Sequence, residues 1–543
     1  MVSSRGYTSL PTIQDTNTNS SFDLSASTPS PTPTSPVSPP QVPPQRNTRN
    51  TSNNLNESFE IDDEFDTNRQ ISNPFADPAD PNSRSHQPQH QHSNSNLNPD
   101  STNNHFSDIE IDQELESIAN QTTRSSLKNA FMLQMNSIVG AGIVGIPRAF
   151  KNSGLLTGII LLALLAILND WTLRLIILNT KLSGAKTYTG VVTHNFGDWG
   201  KVVILLAQGL FALGGNIGFS VIIGDSIPHV LRSLFHEAVE NHQFVDFILS
   251  RNFLIFFCVM GISYPLSLNR NIGKLAKASG FALIGMTIII LIVVIRGPMM
   301  NSEIKGHISG HEWFISPNIF QSISVISFAL VCHHNTTFIY DSIRKPTLDR
   351  FDTVTHLSCL ISTAVCALMG ISGYLNFGSK TKGNVLNNFP SGDWVANVAR
   401  FCFGMNMLTT FPLELFVIRE VVKDLIIIYK KRQHHDETYT IDQLSTTQHV
   451  VITTILSIIP MVVALFTCNL GAVLELVGAT SASTIAYILP PLCYIKMTWR
   501  TKTMFQRILP FACVAFGFMV MFLSSAQTII SALKNTDDGH CVE

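Results

Sequence analysis

The chain is 543 residues long, 45% of them hydrophobic and only 14% charged, with a formal net charge of −2. This balance and the lack of a basic patch argue against a nucleic-acid-binding protein. Long apolar runs begin only after about residue 120, so the average composition hides a polar segment joined to one rich enough for a membrane.

Residues 1–124 are predicted to form a disordered cytosolic tail. They contain a Pro-rich block at 28–45 and a His/Gln/Asn-rich tract at 86–98, and such a segment cannot bury enough apolar area to offset chain entropy. Five Ser-Pro or Thr-Pro steps are candidate sites for kinase action, which would make the tail regulatory: Thr28, Ser30, Thr32, Ser35 and Ser38. The alternative is a solvated extension that tolerates sequence change.

Eleven apolar stretches follow, each long enough to cross a bilayer core of about 30 Å. Their predicted bounds are 127–150, 153–179, 199–229, 252–268, 274–296, 315–341, 353–376, 393–420, 449–467, 471–495 and 506–533. The pattern predicts an all-α polytopic membrane protein with about 11 transmembrane helices. Because the number of crossings is odd, we expect the two termini on opposite sides of the membrane.

The loop charges favour a cytosolic N-terminus. With the tail in the cytosol, the cytosolic loops hold more than twice as many Lys and Arg residues as the opposite loops, including the run Lys430, Lys431 and Arg432. This is the positive-inside pattern of membrane proteins. No secretory signal opens the chain, so we expect the first membrane helix to direct insertion.

The nine cysteines give no sign of a disulfide framework. Most of them, Cys468 included, fall in apolar stretches, and none forms a C-x-x-C pair. The spacing therefore predicts reduced, packed thiols.

The first apolar stretch is interrupted at residues 140–147, which read Gly-Ala-Gly-Ile-Val-Gly-Ile-Pro. A membrane helix that stops hydrogen-bonding to itself exposes peptide groups in hydrocarbon. This is tolerated only where those groups line a cavity or meet a ligand. The interruption therefore predicts a binding site.

The sixth stretch is interrupted as well, at residues 327–341. It places His333, His334 and Asn335 with two threonines at mid-membrane depth, where polar groups are costly and usually functional. The two interruptions stand at equivalent positions of two five-helix units, 127–296 and 315–495, with the helix at 506–533 outside them. Paired interruptions of this kind indicate an inverted-repeat secondary transporter, in which the two breaks meet near the membrane midplane.

Three motifs carry a family resemblance. Residues 136–147, Cys332-His333-His334-Asn335 and residues 409–412 resemble the amino acid/auxin permease family, particularly its sodium-coupled neutral amino acid transporters and fungal vacuolar amino acid transporters. The resemblance implies a LeuT-type 5+5 inverted repeat plus one helix in a transporter domain at 125–535, followed by a short C-terminal tail at 536–543. It implies an ion-coupled secondary transporter of neutral amino acids that works by alternating access, and not an enzyme.

An amino acid presents a carboxylate and an ammonium group. Amide N–H groups at the start of the half-helix near Gly142 would hold the carboxylate at the positive end of the helix dipole, and carbonyl groups of the sixth stretch would face the ammonium group. The predicted substrate-binding residues are Asn136, Ser137, Gly140, Ala141, Gly142, Ile143, Gly145, Phe328, Cys332, His333 and Asn335.

Two coupling ions remain open. The resemblance implies a sodium ion held by oxygen atoms of Asn136, Thr409 and Thr410, ligands that suit a hard cation. The alternative is a proton carried by His333, His334 or Glu414, and Glu475 also lies in an apolar stretch. We favour protons because vacuolar relatives work against an acidic lumen and histidine titrates closest to neutral pH. No other cofactor is expected.

Each of these residues also has a structural interpretation. The glycines of the first stretch could serve close helix packing, and the two histidines could be packing residues. Glu414 could form an internal ion pair with Arg419, and Thr409 and Thr410 could bond back to their own helix. Arg148 is a departure from the family pattern, which often has an aromatic residue after the proline; it could alter gating or snorkel to the interface.

Two other classes were weighed. Gly140, Gly142 and Gly145 satisfy the dinucleotide pattern G-x-G-x-x-G, with Asp170 at the distance of a ribose-binding acid. An NAD-linked enzyme is excluded because Pro147 would fall inside the required helix and no strands surround the motif. An amino-acid-sensing receptor that signals through the N-terminal tail stays open, because receptor and transporter need the same pocket.

The resemblance alone bears on the compartment. We expect the vacuolar membrane, with the plasma membrane and other endomembranes as alternatives. The expected partners are an amino acid substrate, the lipid bilayer and a kinase that acts on the tail; no nucleic acid is expected.

Overall fold

The computed structural model describes residues 126–270, 279–434 and 444–534. The predicted tails at 1–124 and 536–543 lie outside these residues. Every element in the described part is helical. The α-helices are α1 (Leu127–Ile138), α2 (Ile146–Ser153), α3 (Leu155–Ser183), α4 (Tyr188–Leu234), α5 (His236–Asn241), α6 (Gln243–Ile248), α7 (Arg251–Phe256), α8 (Tyr264–Ser267), α9 (Ser279–Arg296), α10 (Ile319–Leu330), α11 (Thr336–Ser342), α12 (Leu348–Phe377), α13 (Trp394–His434), α14 (Thr446–Phe466), α15 (Leu470–Val477), α16 (Leu489–Met497) and α17 (Met504–Lys534).

Short non-α segments connect or continue these helices. The 3₁₀ segments are Ala141–Gly145, Gly297–Met299, Ser302–Ile304, Gly310–Trp313, His333–Asn335, Gly378–Lys380 and Val385–Asn388, and the π-helical segments are Phe257–Ser263, Gly478–Ala482 and Thr484–Ile488. π-Helical turns inside α-helices occur often at functional sites. Here Gly478 lies so close to α10 that a Cβ atom on it would come within 1.9 Å of the Ser324 carbonyl oxygen.

The polytopic architecture expected from the sequence is confirmed. Within the described residues, nine helices are long and apolar enough to cross a membrane, and a pair bent by 41°, α1 with Ala141–Ser153, makes a tenth if it is counted as one span. The predicted fourth crossing corresponds to a shorter apolar helix, Arg251–Ser267. The described chain thus has nine or ten candidate spans by length and composition, and the count of about 11 stays a prediction.

Local sequence explains where several helices begin and end. Thr187 caps α4 by accepting a hydrogen bond from the Gly190 amide, and Ser445 and Gln448 form a capping box at the start of α14, the arrangement that satisfies free N–H groups at a helix start. Gly184 ends α3 in a left-handed conformation, at φ +70°, which costs glycine little. Gly197 interrupts α4 with φ +65°.

The most extensive packing joins α4 to α13, and α12 packs along α3 and α2. Apolar side chains also remain on the outside, as Leu164 and Ile167 on α3 are 58% and 68% exposed, which suits a lipid-facing surface. One sequence-based expectation is wrong: Cys468 is disulfide-bonded. Cys258, Cys332 and Cys366 are free, buried thiols as predicted.

Candidate substrate-binding site

The first predicted interruption is confirmed. Helix α1 ends at Ile138, Gly140 is extended with φ −115° and ψ −151°, and a 3₁₀ turn over Ala141–Gly145 leads into α2. Pro147 lies in the first turn of α2, where a missing N–H group costs nothing. The sequence breaks the helix because glycine disfavours helix and proline permits only a new start.

Two backbone donors in this turn have no partner. The Gly140 amide donates to the Ile138 carbonyl at 2.9 Å, and the Ile143 amide donates to the Gly140 carbonyl at 3.3 Å. Between them, the amides of Ala141 and Gly142 reach no acceptor among the described residues. Unpaired N–H groups at a helix start carry a partial positive charge, so the turn is suited to bind a carboxylate.

The second predicted interruption is also confirmed. Helix α10 ends at Leu330, Val331 and Cys332 are not helical, and a 3₁₀ turn over His333–Asn335 leads into α11. The Asn169 side chain of α3 donates to the Leu330 carbonyl at 2.9 Å. The carbonyls of Phe328 and Ala329 accept no hydrogen bond within the described chain, so they are available to a cation.

The two interruptions touch each other. A Cβ atom on Gly142 would lie 2.8 Å from the Cβ atom of Ala329, and the Asn335 amide donates to the Ser137 hydroxyl at 3.0 Å. The break with the unpaired donors therefore lies against the break with the unpaired carbonyls. This is the pairing of charges that the two ends of an amino acid require.

One edge of this junction is accessible. Asn136, Ser137 and Gly140 are partly exposed, as are His334 and Asn335, and a Cβ atom on Gly140 would meet open space. The other predicted substrate residues are buried: Ala141, Gly142, Ile143, Gly145, Phe328, Cys332 and His333. Access to the junction therefore runs past the end of α1 and the start of α11.

The adjacent histidines point to different neighbours. His333 is fully buried with its Nε2 atom 2.8 Å from the Thr172 hydroxyl of α3. The His334 ring lies 5.1 Å from the Phe211 ring of α4, and its Nε2 atom is 3.0 Å from the Asn335 amide nitrogen. His334 thus belongs to the accessible edge, whereas His333 packs behind the break.

The residues predicted for the coupling ion lie on α13. The Thr409 and Thr410 hydroxyls both donate to the Asn406 carbonyl, at 3.0 and 2.8 Å, so their oxygen lone pairs stay available to a cation. No hydrogen bond joins Asn136 to either threonine among the described residues. The predicted sodium ligands are therefore not directly linked to one another.

Glu414 does not form the ion pair considered from the sequence. Arg419 donates instead to the Ser267 carbonyl at 3.0 Å and to the Thr453 hydroxyl at 3.3 Å. One carboxylate oxygen of Glu414 is buried without a hydrogen-bond partner in the described part of the chain. A buried oxygen with no donor is costly unless it binds a proton or a cation.

A loop at residues 378–393 covers the opposite face of the junction, at the end of the first break, where a Cβ atom on Gly145 would lie 3.8 Å from the Gly383 carbonyl oxygen. Arg400 of α13 holds this loop by donating to the carbonyls of Leu386 at 2.9 Å and Phe389 at 2.7 Å. Lys151 of α2 donates to the Thr381 carbonyl at 3.4 Å. Because Leu386 is fully buried, this face of the junction is closed.

Beneath the 378–393 loop lies a polar cluster that sequence reasoning left out of the site. Glu475 of α15 accepts hydrogen bonds from Asn152 of α2 and Thr528 of α17, and Asn152 also donates to Gln321 of α10. The sequence gives one sign of the importance of Glu475, which is a lone carboxylate in an apolar stretch. The partners could not be found because they come from three other helices.

A separate cavity of about 590 Å³ lies away from the junction. It is at the ends of α16 and the segment after it, beside the start of α4, and is lined by Phe196, Leu492, Ile495, Lys496, Met497, Trp499 and Arg500. Its lining includes none of the residues with unpaired backbone groups.

Comparisons with known proteins show the family of the chain. The family model described as transmembrane amino acid transporter protein matches residues 123–530. The chain is 51% identical over 419 residues to vacuolar amino acid transporter 2 of Saccharomyces cerevisiae, covering 77% of this chain and 86% of the relative. It is 32% identical over 420 residues to the putative sodium-coupled neutral amino acid transporter 11 of Danio rerio, covering 77% and 89%.

Proposed function

The chain belongs to the family of transmembrane amino acid transporters, and on this premise we propose that it moves neutral amino acids by proton-coupled secondary active transport across a vacuolar membrane. The membership makes it a transporter and not an enzyme. We propose the remaining assignments: the coupling ion, the substrate class, the side of the membrane on which the N-terminus lies, and the vacuole as the compartment.

One observation carries the proposal: the break with unpaired donors at Ala141 and Gly142 contacts the break with unpaired acceptors at Phe328 and Ala329. Each unsatisfied backbone group in a membrane interior costs several kcal/mol. Hydrogen bonds to charged groups contribute about 1.5–3 kcal/mol each. An amino acid would satisfy both sets, its carboxylate on the amides and its ammonium group on the carbonyls.

The lining supports a substrate with an uncharged side chain. The accessible edge presents Asn136, Ser137 and Asn335 with the imidazole of His334, and no Asp, Glu, Lys or Arg is among the predicted substrate residues. A charged substrate side chain would lose its hydration there without a partner. We therefore propose neutral amino acids.

Alternating access needs a closed face and an open one, and both are present. The face under the 378–393 loop is closed, and the edge at Asn136 and Asn335 is accessible. With a cytosolic N-terminus, the accessible edge opens to the cytosol, because α1 starts on that side. The described conformation then corresponds to an inward-facing state.

A rigid unit for the rocking motion is built from α2, α3 and α12. A Cβ atom on Gly373 would lie 2.5 Å from Pro147, and Arg174 and Asp352 form an ion pair of 2.8 Å between α3 and α12. Gly370 and Gly373 of α12 thus occupy close contacts with α2. We propose that these helices move together with α10 and α11 as one bundle of a 5+5 inverted repeat.

The coupling ion is proposed to be a proton. Glu414 and His334 each have a buried side-chain atom that lacks a hydrogen-bond partner in the described chain, and the relative at 51% identity is named as vacuolar. Sodium at Asn136, Thr409 and Thr410 is the competing assignment, supported by the names of the sodium-coupled relatives.

Uptake into proteoliposomes tests the proposal. Purified protein is reconstituted, and accumulation of each of the twenty amino acids is measured with an imposed pH gradient, a sodium gradient or neither. We expect accumulation of neutral amino acids with the pH gradient alone. Accumulation with sodium alone would replace the proton by sodium, and binding without accumulation under any gradient would favour a receptor.

A further inference from the structure

A buried carboxylate connects four helices on the closed face. Glu475 of α15 is 3% exposed; its Oε1 atom accepts from Asn152 at 3.5 Å and its Oε2 atom accepts from Thr528 at 3.3 Å. Asn152 also donates to Gln321 at 3.4 Å, and Gln321 donates to Ser531 at 3.2 Å. These five residues, the Glu475 network, tie α2 and α10 to α15 and α17.

One cation faces this network. Arg148 of α2 is the charged group whose field reaches Glu475. Its Nε atom has no hydrogen-bond partner within the described chain, and it lies over Gly471, one turn before Glu475, where a Cβ atom would be 3.4 Å away. The cation stays close enough to favour an ionised carboxylate but does not form a direct ion pair with it.

Other charged groups lie on the elements packed against α15. Lys382 of the 378–393 loop places a positive charge near Asp225 of α4. Asp225 of α4 accepts from Asn387 at 2.8 Å and faces Arg251 at 3.8 Å. Lys151 of α2 donates to the Thr381 carbonyl. The described side chains that α10 and α17 present to Glu475 or Asn152 are the uncharged Gln321 and Thr528. Burial therefore disfavours the ionised form of Glu475, whereas Arg148 and the two hydrogen-bond donors favour it.

We propose that Glu475 is a proton-binding group whose ionisation keeps the face under the 378–393 loop closed. The ionised carboxylate accepts from α2 and α17 at once and attracts Arg148. When it takes up a proton, the attraction to Arg148 is lost and one oxygen becomes a donor, so the carboxyl no longer accepts from both α2 and α17 and the tie of α2 to α15 is weakened. The proton comes from the water at this face and returns to it; Glu475 is a positioning residue, and the inference rests on the alternating access proposed above.

A cysteine under the loop measures the opening without any substrate. Val385 is fully buried in the 378–393 loop, so Val385→Cys reacts with a membrane-impermeant maleimide only when the face opens. Full-length protein in lipid nanodiscs is labelled at about pH 7.5 and about pH 5.5, the range that spans a vacuolar gradient. The parent protein gives the background, and Gly392→Cys, at an exposed position with open space around it, corrects for the reagent.

We expect the face under the 378–393 loop to be closed at about pH 7.5 and to open at about pH 5.5. Val385→Cys should label about fivefold faster at the lower pH, and Glu475→Gln, which mimics the protonated side chain, should make labelling fast at both values. Glu475→Asp keeps the charge and should keep the pH dependence. Asp246→Asn, the control at an exposed carboxylate outside the Glu475 network, should behave like the parent.

Two outcomes would overturn the inference. One is labelling of Val385→Cys that is equally slow at both pH values. The other is a pH dependence that survives in Glu475→Gln. Because labelling needs no substrate, the result is independent of the uptake experiment: an acid-opened face without gradient-driven accumulation would contradict the transport proposal and leave the role of Glu475 intact.

Discussion

The Cα atom of Ala329 lies 2.6 Å from the place that a Cβ atom would occupy at Gly142. The two interrupted helices therefore meet through their backbones at a point where no side chain fits. Because the clash is with main-chain atoms, it cannot be relieved by a rotamer change.

Gly142→Ala should therefore abolish transport. The added methyl group must push α10 away from the first break, and we expect uptake to fall by at least about tenfold, since misplacement at a binding site is costly. Gly285→Ala is the matched control, because a Cβ atom there is 3.8 Å from its nearest neighbour. Uptake is measured per amount of protein delivered to the membrane; normal uptake by Gly142→Ala would contradict the backbone contact.

The two histidines should give different phenotypes. His333→Ala removes the partner of the Thr172 hydroxyl in a buried site, and we expect a loss of about 1–3 kcal/mol in stability, with the pH profile of the remaining uptake unchanged. His334→Ala should keep the thermal unfolding midpoint in detergent and raise KM for the substrate. The same midpoint shift in both variants would contradict the division of roles.

Arg400 should be essential for the order of the 378–393 loop. Arg400→Ala leaves the Leu386 and Phe389 carbonyls without their donor, and we expect a cost of about 3 kcal/mol or more. Hydrogen exchange should rise at residues 385–389. Arg232→Ala is the control, because Arg232 makes an exposed ion pair with Asp246 at 2.8 Å, and such pairs contribute about 1 kcal/mol at most.

Removing sodium should leave uptake unchanged. If the proton is the coupling ion, replacing sodium by choline should not alter the initial rate. Thr410→Val should also leave the initial rate of uptake unchanged. Among the described residues, the Thr410 hydroxyl forms hydrogen bonds to Asn406 of the same helix. A sodium concentration for half-maximal uptake that rises in Thr410→Val would identify this position as a sodium ligand instead.

The sequence predicts both helix breaks because each depends on the residues at the break itself. At 140–147, glycines and a proline cannot sustain a helix, and at 332–337 polar residues replace the apolar run. The same reasoning could not tell His333 from His334, because their directions depend on a 3₁₀ turn and on Thr172, far away in the chain. It also missed Asn152, an ordinary polar residue whose importance comes from Glu475.

Three other features could not be predicted from the sequence for related reasons. The kink at Gly197 and the π-helical turn at Gly478–Ala482 do not change hydropathy, so a window of apolar residues runs through them unmarked. The bond at Cys468 gave no local signal, since a disulfide depends on distance in space and not on spacing in the chain.

The amide group of Asn335 has a consequence for chemical selectivity. Its nitrogen is within hydrogen-bond distance of both Ser137 and His334, so its two hydrogen atoms are already committed and its oxygen is the atom left to bind an incoming molecule. An amide oxygen accepts a hydrogen bond from an amine that carries hydrogen atoms, and it cannot do so from a quaternary amine. Betaines resemble amino acids in size and charge, but their methylated nitrogen has no N–H group to donate. We therefore expect the Asn335 side chain to select against them.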